Sequence, residues 1–301
     1  MRNLFLIPLF VSVASILQAQ LPKSNVFLFD IKMPNDTSVQ FSKPRYLTNF
    51  NANGYNNQPA FFSEKELCLT VQLPGENQTE LYLFDLEKKT KTRITQTPEG
   101  EYSPAVMPDP FRFSALRQEI SREDTAQRIW EFPVDRLNDG RPVFKYINNV
   151  GYYTWITNSK VAIFKITNPN ELAIADVYTD KVTTVATNVG RCFKISPTTR
   201  NLVFVRKSNL NPWKLVERKN PWSDSDNTIT EIAETVPDSE DFVILSNGSF
   251  VMGKGSRLFL LNPKAKDKKW KEIANFRLYN MDNITRLAVS PDGTKLAIVA
   301  N

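Results

Sequence analysis

The chain of 301 residues contains no histidine. That absence removes the commonest general base, the commonest imidazole metal ligand and any Ser-His-Asp triad. A serine nucleophile would have to take a lysine as its base, and no signature places one. Cysteine is almost as scarce. Cys68 and Cys192 are the only two, too few for a structural zinc site. Each sits inside an apolar strand pattern in a different repeat, as buried small hydrophobes do, so no disulfide is expected between them. No segment of useful length sustains an apolar period near 3.6, and long helices are not expected. No cofactor is expected either.

Long apolar runs are missing except at the start. "MRNLFLIPLFVSVASILQAQ" carries Arg2, an almost uncharged apolar stretch and the small residue Ala19, the build of a secretory signal peptide cleaved between Ala19 and Gln20. The stretch from Leu4 to Leu17 is about fourteen residues, against the roughly twenty needed to span a bilayer. No cysteine follows it, so no lipoprotein anchor is expected. Residues 1–19 are read as a leader and 20–301 as one exported domain, periplasmic or secreted, without a membrane span. The formal net charge of +6 falls to +5 when Arg2 leaves. That mild excess suits solubility and acidic partners but excludes a nucleic-acid role.

What is abundant is an internal repeat: an apolar strand, a short turn and a second alternating strand. It appears as "PAFFSEKELCLTVQ" from Pro59, "PAVMPDPFRFSALR" from Pro104 and "YTWITNSKVAIFKI" from Tyr153. It returns as "RCFKISPTTRNLVFVRK" from Arg191, "DFVILSNGSFVMGK" from Asp241 and "TRLAVSPDGTKLAIVA" from Thr285. The spacing between turns runs from about 39 to about 50 residues, the period of four-stranded propeller blades. "SPDGTK" supplies Gly293 where a positive φ is wanted, and "LSNGS" carries an Asn-Gly hairpin signal. Third strands follow at Leu81, Ile129, Glu171, Trp213 and Arg257, and fourth strands such as "TRIT" at Thr92 and "VTTVAT" at Val182. The charged stretch from Ser114 to Ile129 is read as a strand followed by a loop rather than as a helix. The sequons at Asn35, Asn77, Asn247 and Asn283 read as turn chemistry.

The last repeat stops at Asn301 after two strands, while the chain opens at Val26 with an unpaired third strand and at Arg45–Thr48 with an unpaired fourth. The start therefore completes the end. The expected fold is all-β, a six-bladed propeller of four-stranded antiparallel blades whose last blade is shared between the termini, leaving no long edge exposed. "SPDGTKLAIVA", "GYNNQPAFFS", "GEYSPAVMPD" and the "LYLFDL" strands resemble the WD-like repeats of TolB-type propellers of bacterial envelopes. The resemblance covers nearly all of the mature chain. With the Asn-, Lys- and Phe-rich composition it implies an exported bacterial protein of Bacteroidetes type.

In such a ring the first strands line a channel, and the loops leading into them crowd one mouth. The sequence puts there Tyr55, Asn56 and Asn57; Glu101 and Tyr102; Tyr152 and Tyr153; Arg191; Glu240 and Asp241; and Asn283 and Arg286. Tyrosines, arginines and acids suit a polar peptide or a sugar. Glu101 and Asp241 are the one pair that could divide acid and base roles as in glycosidases. Charge runs at Glu87–Arg93 and Lys264–Lys271 read as solvated rim turns. Trp222, in a longer insertion of the same kind, is the candidate anchor on the rim. The function expected is non-enzymatic binding of a protein or peptide partner in the cell envelope by a monomer. The alternatives are a small-ligand or glycan module at the channel mouth and a hydrolase or lyase built from mouth carboxylates.

Overall fold

The computed structural model describes residues 21–120, 125–136, 138–223 and 225–301. The leader read from residues 1–19 lies outside them. The strands form six sheets, each a meander from an inner strand at the axis to a short outer strand at the rim. The inner strands of blades 1 to 5 are Tyr55–Phe61, Gly100–Val106, Val150–Trp155, Val189–Ile195 and Phe242–Ile244. Each pairs antiparallel with a second strand: Glu66–Gln72, Arg112–Ile120, Lys160–Lys165, Leu202–Arg206 and Phe250–Lys254.

Blade 6 is built from both ends of the chain. Its inner strands are Ile284–Val289 and Lys295–Ala300, and Asn25–Asn35 is its third. Asn25 to Asp30 pair in continuous register with Ala300 back to Lys295. The outer position is shared by two short strands, Ser38–Phe41 and Arg45–Tyr46. The shared-blade expectation holds, with the fourth strand broken in two. In blade 2 the third strand runs Thr125–Pro133, beginning four residues before the expected Ile129. Long strands thus flank residues 121–124 where one charged loop was expected.

Strand alternation decides where the core sits. Side chains leave each sheet on both faces, and each face meets the neighbouring blade, so there are six apolar layers instead of one centre. Val26 and Leu28 pack towards blade 1 with Leu67, Leu69 and Val71. Phe29 and Ile31, of opposite parity to Leu28, pack towards blade 5 with Val243, Val251 and Leu258. Equivalent clusters fill the other four interfaces. Burial on both faces is why these strands read as nearly continuous apolar runs.

The turns follow their chemistry. Gly293 (φ +71) and Gly248 (φ +89) take the left-handed positions of the two hairpins that announced them. Asn35 accepts from the Thr37 amide, and Asn247 from the Ser249 amide, both as Asx turns. Cys68 and Cys192 are buried and unbridged, in blades on opposite sides of the ring. Among the described residues no helix is long and apolar enough to cross a membrane.

Candidate functional site

The six inner strands enclose a cavity of about 500 Å³ on the axis. Hairpin register divides its wall into tiers. The last pairs before the turns place Phe61, Val106, Trp155, Ile195, Ile244 and Val289 at one level, and all but Trp155 line the cavity as an apolar collar. One residue back lie Ala60, Ala105, Thr154, Lys194, Val243 and Ala288, every one of them on the wall. Five are short and the sixth is a lysine. Next comes a polar tier that includes Gln58, Ser103, Tyr152, Arg191, Asp241 and Arg286.

The polar tier is knitted across the ring. Arg286 Nη2 of blade 6 donates to the Tyr152 hydroxyl of blade 3 at 2.9 Å, and its guanidinium lies 5.0 Å from the centroid of the same ring. Blades 3 and 6 face each other, so this contact bars the channel. A second strut runs from Arg191 Nη2 of blade 4 to the Thr285 carbonyl of blade 6 at 3.3 Å. Asp241 Oδ1 accepts from the Leu287 amide at 2.9 Å, and Oδ2 lies 3.8 Å from Arg286 Nη1. Gln58 Oε1 accepts from the Ser103 amide at 2.8 Å, joining blades 1 and 2. Both residues sit at bulges with positive φ, which turns these polar groups towards the axis.

Electrostatics follow from depth. Burial raises the Asp241 carboxyl above its ordinary value, opposed by Arg286, Lys194 and Arg191. Glu240 is also burdened by burial, but Lys207 at 2.6 Å and the Arg191 side chain and amide hold its carboxyl below the usual range. The Lys194 ammonium makes no ion pair or hydrogen bond among the described residues.

Of the mouth residues read from the sequence, Tyr152, Tyr153, Arg191, Asp241 and Arg286 line the wall. Tyr55 stands beside them, buried, its phenol raised by desolvation and within the influence of Arg286 and Arg191. Asn56 is wholly buried and ties Ser24, Asn51 and Gly54 together, and Asn57 caps the Gln58 amide. Tyr102 and Tyr153 turn into the layer between blades 2 and 3, where Tyr153 bonds to Ser114 Oγ at 2.9 Å. Asn283 is exposed, its carbonyl accepting from the Asn301 amide. Trp222 is 43% exposed on the turn between third and outer strands of blade 4, away from the axis.

Glu101 corrects the expectation. It is fully buried, 2.9 Å from Arg117 Nε and bonded by Thr97 Oγ1, and it does not line the cavity. Its paired position opposite Arg117 sends both side chains off the same face of blade 2. Glu101 and Asp241 therefore do not form an acid–base pair across the channel. Lys194, Gln58 and Ser103 were not among the expected residues. Aligning the next-to-last residue of each inner strand (Ala60, Ala105, Thr154, Lys194, Val243, Ala288) exposes the lysine as the outlier.

The wall thus offers guanidinium, ammonium, phenol and one tethered carboxylate, groups that grip a polar or anionic ligand. Among the described residues no group of three or more His, Cys, Asp or Glu gathers where it could hold a metal ion. Burial pushes the Cys192 thiol up to about 12 and raises Cys68 as well. At pH 8 only about one part in ten thousand of Cys192 would be thiolate. Iodoacetamide is therefore expected to label neither cysteine in the native chain and both after denaturation, as read by intact mass. Rapid native labelling of Cys192 would contradict the burial described here.

No family model matches the chain, and no curated protein matches its sequence. Solved structures do match its fold. A structure described as TolB from Agrobacterium tumefaciens superposes with a TM-score of 0.63 at 13% identity, over 92% of this chain and 98% of that one. A chain of a nidogen–laminin complex gives 0.59 at 10%, over 92% and 98%. An oligogalacturonate lyase from Vibrio parahaemolyticus gives 0.50 at 12%, over 93% and 98%. The fold is the six-bladed β-propeller shared with TolB, and propellers of this shape include both binding proteins and enzymes.

Proposed function

We propose that this chain is an exported, non-enzymatic propeller that binds a protein or peptide partner in the cell envelope, and that the axial cavity receives a segment of that partner. The observation that carries the reading is the barred channel. Arg286 and Tyr152 cross one end, while at the other the exposed Pro197, Ser246 and Pro291 border an apolar collar. A cavity of this size accepts a few residues of an extended chain. The wall's carboxylate, Asp241, is held by a backbone amide and faces Arg286, a positioning arrangement rather than a general base poised over a substrate. The TolB-like fold and the nidogen–laminin neighbour support a protein partner; the lyase neighbour keeps acidic oligosaccharides as the class to be tested against it.

The test is cross-linking capture from native envelopes by the mature chain with a C-terminal tag. Wild type is compared with Thr154→Trp, which fills the tier of short side chains, and with Trp222→Ala on the rim. One protein recovered near equal stoichiometry, lost with Thr154→Trp and kept with Trp222→Ala, is the expected result, provided all three melt alike. Capture kept by Thr154→Trp and lost by Trp222→Ala would move the interface to the rim. Turnover of oligogalacturonate by the wild type would replace the binding reading with a catalytic one.

A further inference from the structure

Lys194 is the anomaly of its tier. Five blades present Ala60, Ala105, Thr154, Val243 and Ala288 to the channel, and blade 4 presents an ammonium. Lys194 lines the cavity with its side chain exposed to it, so its ammonium is open to a ligand entering the channel. The neighbouring acid does not pair with it. Asp241 gives Oδ1 to the Leu287 amide and faces Arg286 with Oδ2, while Lys194, Arg191 and Arg286 all act on it together. Three cations against one carboxylate leave this wall with a net positive charge, and the nearest other acid, Glu240, is already paired with Lys207 and Arg191.

We infer that the middle of the channel is a carboxylate-binding site, anchored by Lys194 and flanked by Arg191 and Arg286, and that it takes the free C-terminus of a peptide. The inference rests on the channel being the binding site. Its direction comes from the order of the tiers. A ligand entering from the hairpin-turn face passes Phe61, Val106, Ile195, Ile244 and Val289 before it reaches the ammonium. The group that arrives first must be anionic, and the part that follows must tolerate an apolar collar. A terminal carboxylate on an apolar residue has that sequence of properties, and its two oxygens can accept from an ammonium and a guanidinium at once.

The experiment uses fluorescein-labelled hexapeptide pools ending in Leu or Val, made as free acids and as C-terminal amides, with anisotropy as the readout. The acids are expected to bind the wild type saturably and the amides roughly 10- to 100-fold more weakly, the factor carried by a charge-assisted hydrogen bond. Lys194→Met should reduce the acids to the level of the amides, with Lys194→Arg restoring part of the difference and neither variant changing the melt. Acids and amides binding alike, or Lys194→Met binding acids as the wild type does, overturns the carboxylate site. If that equal binding is still lost in Thr154→Trp, the channel reading survives its failure. Binding that persists in Thr154→Trp overturns the channel itself, and no binding of either pool at millimolar protein overturns both.

Discussion

Phe29→Ala is expected to cost the fold about 3–5 kcal/mol, the range for removing a fully buried phenylalanine. Phe29 has no exposed surface and stands opposite Leu296 in the strand that the N-terminal segment adds to blade 6. Its ring lies 4.6 Å from Phe276 and 5.9 Å, edge-on, from Phe41, and the three rings close the layer between blades 5 and 6. Truncation empties that layer and removes two aromatic contacts from the one joint that the chain cannot close by local folding. Chemical denaturation should show the midpoint falling with an unchanged slope. Asp30→Ala on the same strand is the control. Asp30 is 58% exposed and meets Arg45 only at 3.5 Å, so its loss should stay within about 0.5 kcal/mol. A cost for Phe29→Ala below about 1 kcal/mol would mean that the N-terminal strand does not close the ring in solution.

The second large effect concerns pH. The Glu101 carboxyl is raised from its ordinary 4.5 to about 7, chiefly because it is buried, with the charge of Glu80 adding to the rise and Thr97 and Arg117 opposing it. Glu80 is itself fully buried and held by Arg93, and each of the two glutamates keeps one oxygen without a hydrogen bond. The folded protein therefore holds a proton on Glu101 that the unfolded chain releases near pH 4.5. Stability from this group is fully present below that pH and is lost as pH rises through about 7. A shift of this size corresponds to about 3 kcal/mol. Glu101→Gln stays neutral, so the difference in unfolding free energy between wild type and variant should move against the wild type by that order between pH 4.5 and 8. Measuring the difference cancels the depressed carboxylates, Glu240 among them, whose contribution is lost towards acid. A difference that is flat with pH would show that Glu101 is ionised throughout and that Arg117 outweighs its burial.

The sequence alone determined the architecture, because the features that make a propeller are local. Alternation along Leu67, Leu69 and Val71, tight turns at Asn247-Gly248 and at Gly293, and a period fitted to one blade are all written within a few residues of each other. Closure was legible too, since the last repeat shows two strands and Val26 begins an unpaired third, and in the fold the two pair. Tyr152, Arg191, Asp241 and Arg286 could be assigned to the axis for the same reason: they sit at the starts of inner strands.

Tertiary structure decided which groups meet. Tyr152 and Arg286 are 134 residues apart and touch only because six blades bring opposite inner strands within a side chain's reach. Glu101 looked like a mouth residue because it opens a strand, but its register against Arg117 turns it into the blade, where burial sets its proton affinity. Bulges at Asn57/Ala60 and Tyr102/Ala105 redirect Gln58 and Ser103, and an extra residue in a strand leaves little trace in the apolar pattern. Lys194 was visible as a letter and not as a site. A lone lysine in a strand is ordinarily solvated, and it becomes a candidate anchor only when five short side chains close the ring around it.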